Sequence, residues 1–210
     1  MASNHYMAMR RNIGQLGRSL LPRPITKDLL ELTPRVSVRA LSYRMLCHAE
    51  FENFLEARAL EVVAAVDASW KRRGHISHST LCLLAFSGIK LNALPDTLQV
   101  PSERITPDGR VSRAISEFNH YVRKRNHGIK EENLIALLVR IGLKPVLLDE
   151  VLVADMTDLG VKRGEVAHGG AAGYVTRGVN PRDEFEQVRR ISEGLRPVDA
   201  ALTVLLRAAL

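Results

Sequence analysis

The chain of 210 residues carries 30 lysine and arginine residues against 23 acidic residues, which gives a formal net charge of +7. Most of the basic residues are arginines, whose planar guanidinium matches phosphate oxygens in pairs, so the charge favours a phosphate-bearing partner such as nucleic acid. Two cysteines exclude a disulfide framework, and the longest apolar runs, such as LCLLAF, are far shorter than the roughly 20 residues of a membrane span. We therefore expect a cytoplasmic protein without membrane contact.

The first 33 residues are predicted to be a basic N-terminal arm. The first 27 positions contain five basic residues and no acid, a composition that weakly resembles a transit peptide. A frayed arm is the simpler interpretation, and residues 34–210 are expected to form one folded domain.

A long first helix is predicted from Thr33-Pro34 to Gly74. Threonine is a favoured N-cap residue, proline suits the first helical turn, and glycine commonly ends a helix. Between these ends, residues of one face recur at spacings of three and four, as in a helix that buries one side. The predicted face comprises Val38, Leu41, Met45, His48, Glu52, Leu55, Ala59, Val62 and Val66.

Residues 75–130 are less regular and are predicted to be a helical, loop-rich insertion. They contain a short apolar helix, STLCLLAF, and a second helix through Ile115, Phe118 and Val122. The stretch between these helices is rich in turn residues and includes Thr106-Pro107-Asp108-Gly109.

Three further helices complete the prediction. Their predicted bounds are Glu131 to Ile141, Pro145 to Gly169-Gly170, and Asn180-Pro181 onwards. Pro197 is expected to kink the last helix. No convincing stretch alternates apolar and polar residues as a strand does. The sequence therefore predicts an all-α fold, an up-and-down helical bundle with the insertion at 75–130.

Three polar residues interrupt apolar helix faces: His48 and Glu52 on the first long helix, and Arg163 on the helix that ends at Gly169-Gly170. A buried charge without a partner is unfavourable, so each side chain is expected to meet a counter-charge, water or a ligand. His48 and Glu52 lie one turn apart and can touch. Two interpretations stay open: a salt bridge from Glu52 to Arg163 that fixes helix register, or a polar pocket in which Glu52 orients Arg163.

The stretch GVKRGEVAHGG places Arg163 and His168 near a helix end. Positions five apart lie about 140° apart around an ideal helix, so the two side chains converge only if the last turn loosens, which Gly164 favours. Arg73 and His78 have the same spacing, so the spacing alone carries little information. A histidine in a last turn also interacts favourably with the helix dipole without any chemistry.

Two segments together carry a family resemblance. SYRMLCHAEFENFLEARALEVV on the early helix and DMTDLGVKRGEVAHGG on the later one resemble the HEPN superfamily of small α-helical ribonucleases, in particular the RiboL-PSP-HEPN-like branch of prokaryotic toxin and defence systems. The signature of that superfamily, an arginine followed a few residues later by a histidine, corresponds to Arg163 and His168. Its acidic residue on the early helix corresponds to Glu52. Gly164 stands where the superfamily usually has a polar residue, often asparagine.

The resemblance implies a HEPN-like bundle and metal-independent cleavage of RNA, with neither a cofactor nor a metal site. RNA carries its own nucleophile, the 2′-hydroxyl, so a proton acceptor and a cation on the phosphate suffice. His168 is then expected to transfer the proton, Arg163 to hold the phosphate and Glu52 to orient Arg163. The superfamily commonly pairs two copies across one cleft, which implies a homodimer. Its toxin and antiphage-defence branch implies an inhibitory partner protein, an antitoxin.

Two other groups of residues are weaker candidates. Four basic residues are expected to hold the RNA backbone, namely Arg123, Lys124, Arg125 and Lys162. A solvated helix end explains the first three equally well. His75, His78 and Cys82 have the residue types of a metal site, but two loop histidines are the ordinary explanation.

The alternative function is a non-catalytic helical module that uses the region of Arg163 to hold a nucleotide or a protein partner. Gly164 favours this alternative, whereas the pair of Arg163 and His168 and the basic charge favour an RNA-cleaving enzyme. The sequence contains no Walker phosphate loop, dinucleotide fingerprint or nucleophile elbow.

Overall fold

The computed structural model describes residues 2–25, 33–89, 106–169 and 179–210, with the backbone alone at 167–169. All regular secondary structure within these ranges is helical, so the predicted all-α class is confirmed. The α-helices are α1 (Asn4–Leu20), α2 (Pro34–Arg73), α3 (His78–Ala85), α4 (Pro107–Lys124), α5 (Glu131–Leu138), α6 (Glu150–Gly169) and α7 (Pro181–Ala209). Single 3-10 turns occupy Val139–Ile141 and Pro145–Leu147. None of the described helices combines the length and hydropathy of a membrane span.

The chain divides into two compact units. The first unit comprises Met1–Phe54, Gly128–Glu132 and Leu148–Asp199, and the second comprises Leu55–His127, Asn133–Leu147 and Ala200–Leu210. Helices α2 and α7 therefore contribute residues to both units. The helices predicted within 75–130 are confirmed as α3 and α4, whereas their origin as an insertion stays a prediction.

The predicted frayed arm is wrong for the described part of the N-terminus, because α1 is docked onto α7. Ser3 caps α1, and its backbone N–H and its hydroxyl both donate to the carboxylate of Asp199, at 2.8 and 2.6 Å. Tyr6, Met9 and Ile13 are buried, and their spacing of three and four residues marks one apolar helix face. These contacts hold residues 4–20 within the first unit.

Helix α2 has the predicted ends. The Thr33 hydroxyl accepts a hydrogen bond from the N–H of Val36 at 3.3 Å, Pro34 is the first helical residue, and Gly74 adopts φ +63° after the last. The buried surface is broader than the predicted face, because a second row is buried at Tyr43, Cys47, Phe51 and Phe54. Val38, at the start of the predicted face, is 46% exposed.

Two predicted boundaries are corrected by the structure. The stretch from Thr106 to Gly109 is the start of α4 and not a separate turn, since the Thr106 hydroxyl caps the helix and Pro107 is its first residue. Helix α6 begins at Glu150, after Asp149 accepts hydrogen bonds from the next turn, and Pro145 opens only a 3-10 turn. Helix α7 runs through Pro197 without interruption.

Candidate functional site

Helices α2, α6 and α7 contribute polar side chains to one region of the first unit, which we name the polar layer. It consists of Arg44, His48 and Glu52 from α2, Asp158, Lys162 and Arg163 from α6, and Glu184 and Gln187 from α7. The layer interrupts apolar positions of these helices, although α2 and α7 also bury polar residues elsewhere, among them Arg58 and Asp199.

The most enclosed part of the polar layer is an ion pair between α2 and α7. The Nε and Nη2 of Arg44 donate to the two carboxylate oxygens of Glu184, at 2.8 and 2.5 Å. Both side chains are 6% exposed. This bidentate geometry is the strong form of an arginine–carboxylate interaction, so the pair fixes the register of α2 against α7.

His48 lies one turn after Arg44 and is 2% exposed. Burial, reinforced by the positive charge of Arg163, lowers the pKa of His48 from 6.5 to about 4. The imidazole is therefore neutral at pH 7. Its Nδ1 lies 3.9 Å from Oε2 of the half-buried Glu52, a separation too long for a hydrogen bond.

Arg163 is placed by the penultimate turn of α6 and is half-buried. Its charge acts on His48, so the predicted residues His48, Glu52 and Arg163 do share one region. Among the described residues, a Cβ placed on the neighbouring Gly164 meets nothing within 4 Å beyond its own helical backbone. Arg163 itself is more exposed than Arg44, which is buried.

Lys162, a predicted RNA contact, is held by protein groups at the edge of the polar layer. Its Nζ lies 2.5 Å from Asp158 and 3.4 Å from Oε1 of Gln187, whose Nε2 also donates to Asp158 at 2.7 Å. The net effect of these surroundings is to lower the pKa of Asp158. Burial acts in the opposite direction, but the hydrogen bonds from Lys162 and Gln187 and the charge of Lys162 outweigh it. Asp158 therefore stays ionised and retains Lys162.

The backbone of His168 belongs to the last turn of α6, which is α-helical through Gly169. The loosened last turn that was expected around Gly164 is therefore not observed. With an intact helix, positions 163 and 168 lie about 140° apart around the axis. The side chain of His168 lies outside the described residues, so its catalytic role stays a prediction.

The basic cluster Arg123, Lys124 and Arg125 is exposed at the C-terminal end of α4, in the second unit. The next residue, Asn126, is buried and donates to Glu56 at 2.7 Å, so the base of the cluster is anchored to α2. Basic residues in a last turn also suit the helix dipole, which explains the cluster without a ligand.

The weak candidate metal ligands do not form a cluster. His78 contacts Cys82 at 3.6 Å, while His75 lies 3.3 Å from the carbonyl oxygen of Ala208. Among the residues that the structure describes, no three His, Cys, Asp or Glu side chains are arranged to hold a metal ion. Both cysteines are free thiols, and burial raises the pKa of Cys47 to about 12.

Sequence reasoning missed Arg44, Asp158, Glu184 and Gln187. Arg44 precedes His48 by one turn on the same side of α2, so the spacing from 44 to 48 to 52 was a usable signal. Glu184 gave no such signal, because an acid in a first helical turn is already explained by the dipole.

Neither a family model, nor a curated protein, nor a solved structure matches the chain. The geometry of the polar layer and the residues of the sequence are therefore the basis for assigning a function.

Proposed function

We propose that the protein is a metal-independent endoribonuclease of the HEPN type, in which Arg163 holds the scissile phosphate. The observation that carries the proposal is the half-buried Arg163 beside the buried, neutral His48, with open space next to it at Gly164. A guanidinium in such a position is partly desolvated, which strengthens its attraction for a phosphate, and is still accessible to one.

The proposed chemistry needs one proton acceptor and one proton donor. His168 accepts the proton of the ribose 2′-hydroxyl, whose oxygen attacks the adjacent phosphorus while Arg163 stabilises the charge on the phosphate oxygens. The bond from phosphorus to the 5′-oxygen breaks, and that oxygen takes a proton from a second histidine. The products are a 2′,3′-cyclic phosphate and a 5′-hydroxyl end.

His48 is unsuited to the proton transfer, although the charge of Arg163 acts on it. It is 2% exposed, and its pKa of about 4 makes it a weak base at neutral pH. Its proposed part is to pack against Arg163 without competing as a cation, while Glu52 supplies the negative charge that orients Arg163.

The decisive experiment is cleavage of a single-stranded RNA by the purified protein in the presence of EDTA. His168→Ala is expected to lower the cleavage rate by about 10²–10⁴-fold, the usual contribution of a general acid–base. His78→Ala is a matched control, because Arg73 and His78 have the same spacing in the sequence, and it should cleave like the unmodified protein.

The products and the substrate sharpen this experiment. End mapping should find 2′,3′-cyclic phosphates, and a single 2′-deoxy substitution should abolish cleavage at that position only. Intact RNA after incubation with the unmodified protein, or equal cleavage by His168→Ala, would refute the nuclease. Cleavage that needs added Mg²⁺ would refute the metal-independent mechanism.

A homodimer is part of the proposal. Because positions 163 and 168 diverge around an intact helix, two copies facing each other supply an arginine and a histidine to one groove more readily than one copy does. Refolding the unmodified protein together with an excess of His168→Ala should lower the cleavage rate per unmodified chain, because most of these chains then share a site that keeps only one of the two histidines. An unchanged rate per unmodified chain after this refolding, or an active monomer by light scattering, would exclude the shared site.

The basic cluster at the end of α4 is the proposed track for the RNA backbone. Changing Arg123, Lys124 and Arg125 to glutamine should weaken binding of all RNA sequences alike and lower the salt dependence of the affinity by about one unit of slope per lost phosphate contact. If the affinity of the variant and that of the unmodified protein depend equally on salt, the cluster does not bind RNA and is a solvated helix end.

A toxin or antiphage effector restrained by an antitoxin is the proposed cellular role. Expression of the unmodified protein in a bacterial host should arrest growth, and expression of His168→Ala should not. Equal growth of both strains, with equal protein levels on a blot, would contradict that role while leaving the enzymatic proposal to the cleavage assay.

The second candidate function is a non-catalytic module that holds a nucleotide or a protein partner at Arg163. Gly164 favours it, because the polar side chain that usually follows the arginine in the resembling superfamily is missing. Binding of RNA without cleavage, lost in Arg163→Met and retained in His168→Ala, would identify this function instead. Gly164→Asn fits the open space and should raise cleavage only if the protein is a nuclease.

A further inference from the structure

A cavity in the first unit, separate from the polar layer, is lined mainly by apolar groups. Helices α1, α2 and α7 enclose about 350 Å³ whose walls are mainly apolar, with Ile13, Leu21 and Val188 among them. None of its lining residues belongs to the polar layer. A cavity of this size and lining is within the range of small-molecule sites in proteins.

Two glycines of α1 leave room for this cavity. Gly14 and Gly17 lie in the interior of the helix, where glycine is disfavoured relative to alanine. An added Cβ would lie 3.6 Å from Nη1 of Arg18 at the first position and 3.7 Å from Cε2 of Tyr43 at the second. These are ordinary contact distances, so close packing does not require glycine at either position. The absence of side chains at these two positions instead leaves space for the cavity.

One residue in the lining of this cavity has a buried hydroxyl group without a described partner. Ser192 is 2% exposed, and its hydroxyl oxygen has no hydrogen-bond partner among the described residues. Its carbonyl oxygen, in contrast, accepts a hydrogen bond from the hydroxyl of Tyr6 at 2.9 Å. Buried hydroxyls in folded proteins are nearly always hydrogen-bonded, so we expect a water molecule or a ligand group beside this one.

The charged residues around the cavity indicate whether its ligand is an anion or a cation. Four arginines and one glutamate line it, namely Arg10, Arg18, Arg23, Arg189 and Glu193. Arg189 pairs with Glu193 at 3.0 Å, whereas the other three arginines form no ion pair with a described residue. Among the described lining residues positive charge exceeds negative charge, and such an excess beside apolar walls favours a ligand that has an anionic head and an apolar body.

We propose that this cavity binds a small amphipathic anion, an apolar body of about ten heavy atoms that ends in one carboxylate or phosphate. The size follows from the volume, since a methylene group occupies roughly the 30 Å³ of one water molecule. The apolar body lies between α1, α2 and α7, the head meets the arginines, and the Ser192 hydroxyl donates to the head or to a group next to it. A nucleotide fits this site less well, because its sugar and base would leave polar groups unpaired against the apolar walls.

The test is calorimetric titration of the full chain with decanoate and with decyl phosphate, each below the concentration at which it forms micelles. We expect one site per chain, and affinity at least ten-fold higher than for decanol or decyltrimethylammonium. The tighter of the two anions identifies the head group. Failure of both anions to bind, or equal binding of the cation, would overturn the proposal.

Three variants assign the site. Ser192→Ala should weaken binding about five-fold without lowering the melting temperature of the free protein, because the hydroxyl has no protein partner to lose. Arg18→Gln should weaken binding about ten-fold, whereas the control Arg182→Gln, on α7 and outside the cavity, should not. Gly14→Leu fills the space and should abolish binding.

Circular dichroism of each variant separates loss of binding from loss of folding. If Gly14→Leu does not fold, the two milder variants decide the matter alone. Unchanged affinity in both Ser192→Ala and Arg18→Gln would show that the anion binds elsewhere and would overturn the assignment. The outcome is independent of RNA cleavage, since the cavity shares no residue with the polar layer.

Discussion

Two arginines in the polar layer have different surroundings. Arg44 on α2 is 5% exposed and donates two hydrogen bonds to the carboxylate of Glu184. Arg163 on α6 is half-buried, and among the described residues a Cβ on the adjacent Gly164 would meet nothing within 4 Å beyond its own helical backbone. The first arginine is enclosed by protein, whereas the second keeps part of its surface exposed.

This difference separates two uses of an arginine that look alike in the sequence. An enclosed, bidentate ion pair fixes how two helices pack, and its charges are not accessible to a ligand. An open, partly desolvated guanidinium can exchange water for a phosphate. Arg44 therefore belongs to the folding of the first unit, and Arg163 is the residue of the two that is suited to binding.

The largest expected effect comes from Arg44→Met, which breaks the enclosed pair. The carboxylate of Glu184 would remain 4% exposed without this partner, and removing one member of a buried ion pair costs about 3–5 kcal/mol. Urea unfolding followed by circular dichroism measures the loss in the free energy of unfolding.

Two further variants control this measurement. Arg44→Met combined with Glu184→Leu removes both charges and should recover most of the lost stability. Arg163→Met is the same substitution at the open site and should cost about 1 kcal/mol or less, because a half-buried cation is still solvated. Equal losses at the two arginines would erase the distinction between them.

His48, another member of the polar layer, gives the next largest effect. Its pKa is about 4 in the folded chain and 6.5 when unperturbed, so between these values the unfolded chain binds more protons. The contribution of His48 to stability should thus be constant above about pH 6.5 and fall as the pH is lowered to about 4, by about 3 kcal/mol in total. Urea unfolding at several pH values measures the slope.

His48→Gln provides the control, because glutamine stays neutral over this range of pH. Its unfolding free energy should lack the part of the slope that His48 contributes between pH 6.5 and 4. If the unmodified protein and this variant have parallel pH profiles, the imidazole is not buried in the neutral form that the structure indicates.

Replacing Arg163 by methionine is expected to have a smaller effect, which is a change in the pKa of His48. The charge of Arg163 is the second cause of the lowered pKa of His48, after burial. In Arg163→Met the pKa should rise but remain below 6.5, since burial is unchanged. Titration of the imidazole carbon and proton resonances by NMR measures both values, and an unchanged pKa would show that Arg163 does not act on His48.

The helix ends were predictable because they depend on neighbours in the sequence. Thr33-Pro34, Gly74 and Asn180-Pro181 each mark an α2 or α7 terminus by local chemistry that the structure repeats. The docking of α1 was not predictable in this way, because Tyr6 meets the carbonyl of Ser192, which is 186 positions away. An amphipathic face alone does not tell whether a partner surface exists.

The candidate site was only partly predictable, because some of its contacts join residues that are far apart in the sequence. His48, Glu52 and Arg163 were recognisable as polar residues on apolar faces, and they do share the polar layer. The partner of Arg44 is Glu184, 140 positions later, and no local pattern connects the two. The intact last turn of α6 was also missed, since Gly164 permits loosening without requiring it.

The smallest expected effect comes from replacing two glycines of α6, Gly160 and Gly164, by alanine. Among the described glycines only Gly74, Gly88 and Gly142 have a positive φ, so neither of the two needs glycine for its backbone conformation. Alanine is the better helix former, so Gly164→Ala, with open space at its Cβ, should stabilise the protein by about 0.5–1 kcal/mol. In Gly160→Ala the new Cβ would lie 3.0 Å from Cγ of Lys130, which must move, so the gain should be smaller or reversed. The midpoints of urea unfolding measure both. Equal gains would mean that α6 is no more open beside Arg163 than one turn earlier, and the contrast between the enclosed and the open arginine would lose its structural basis.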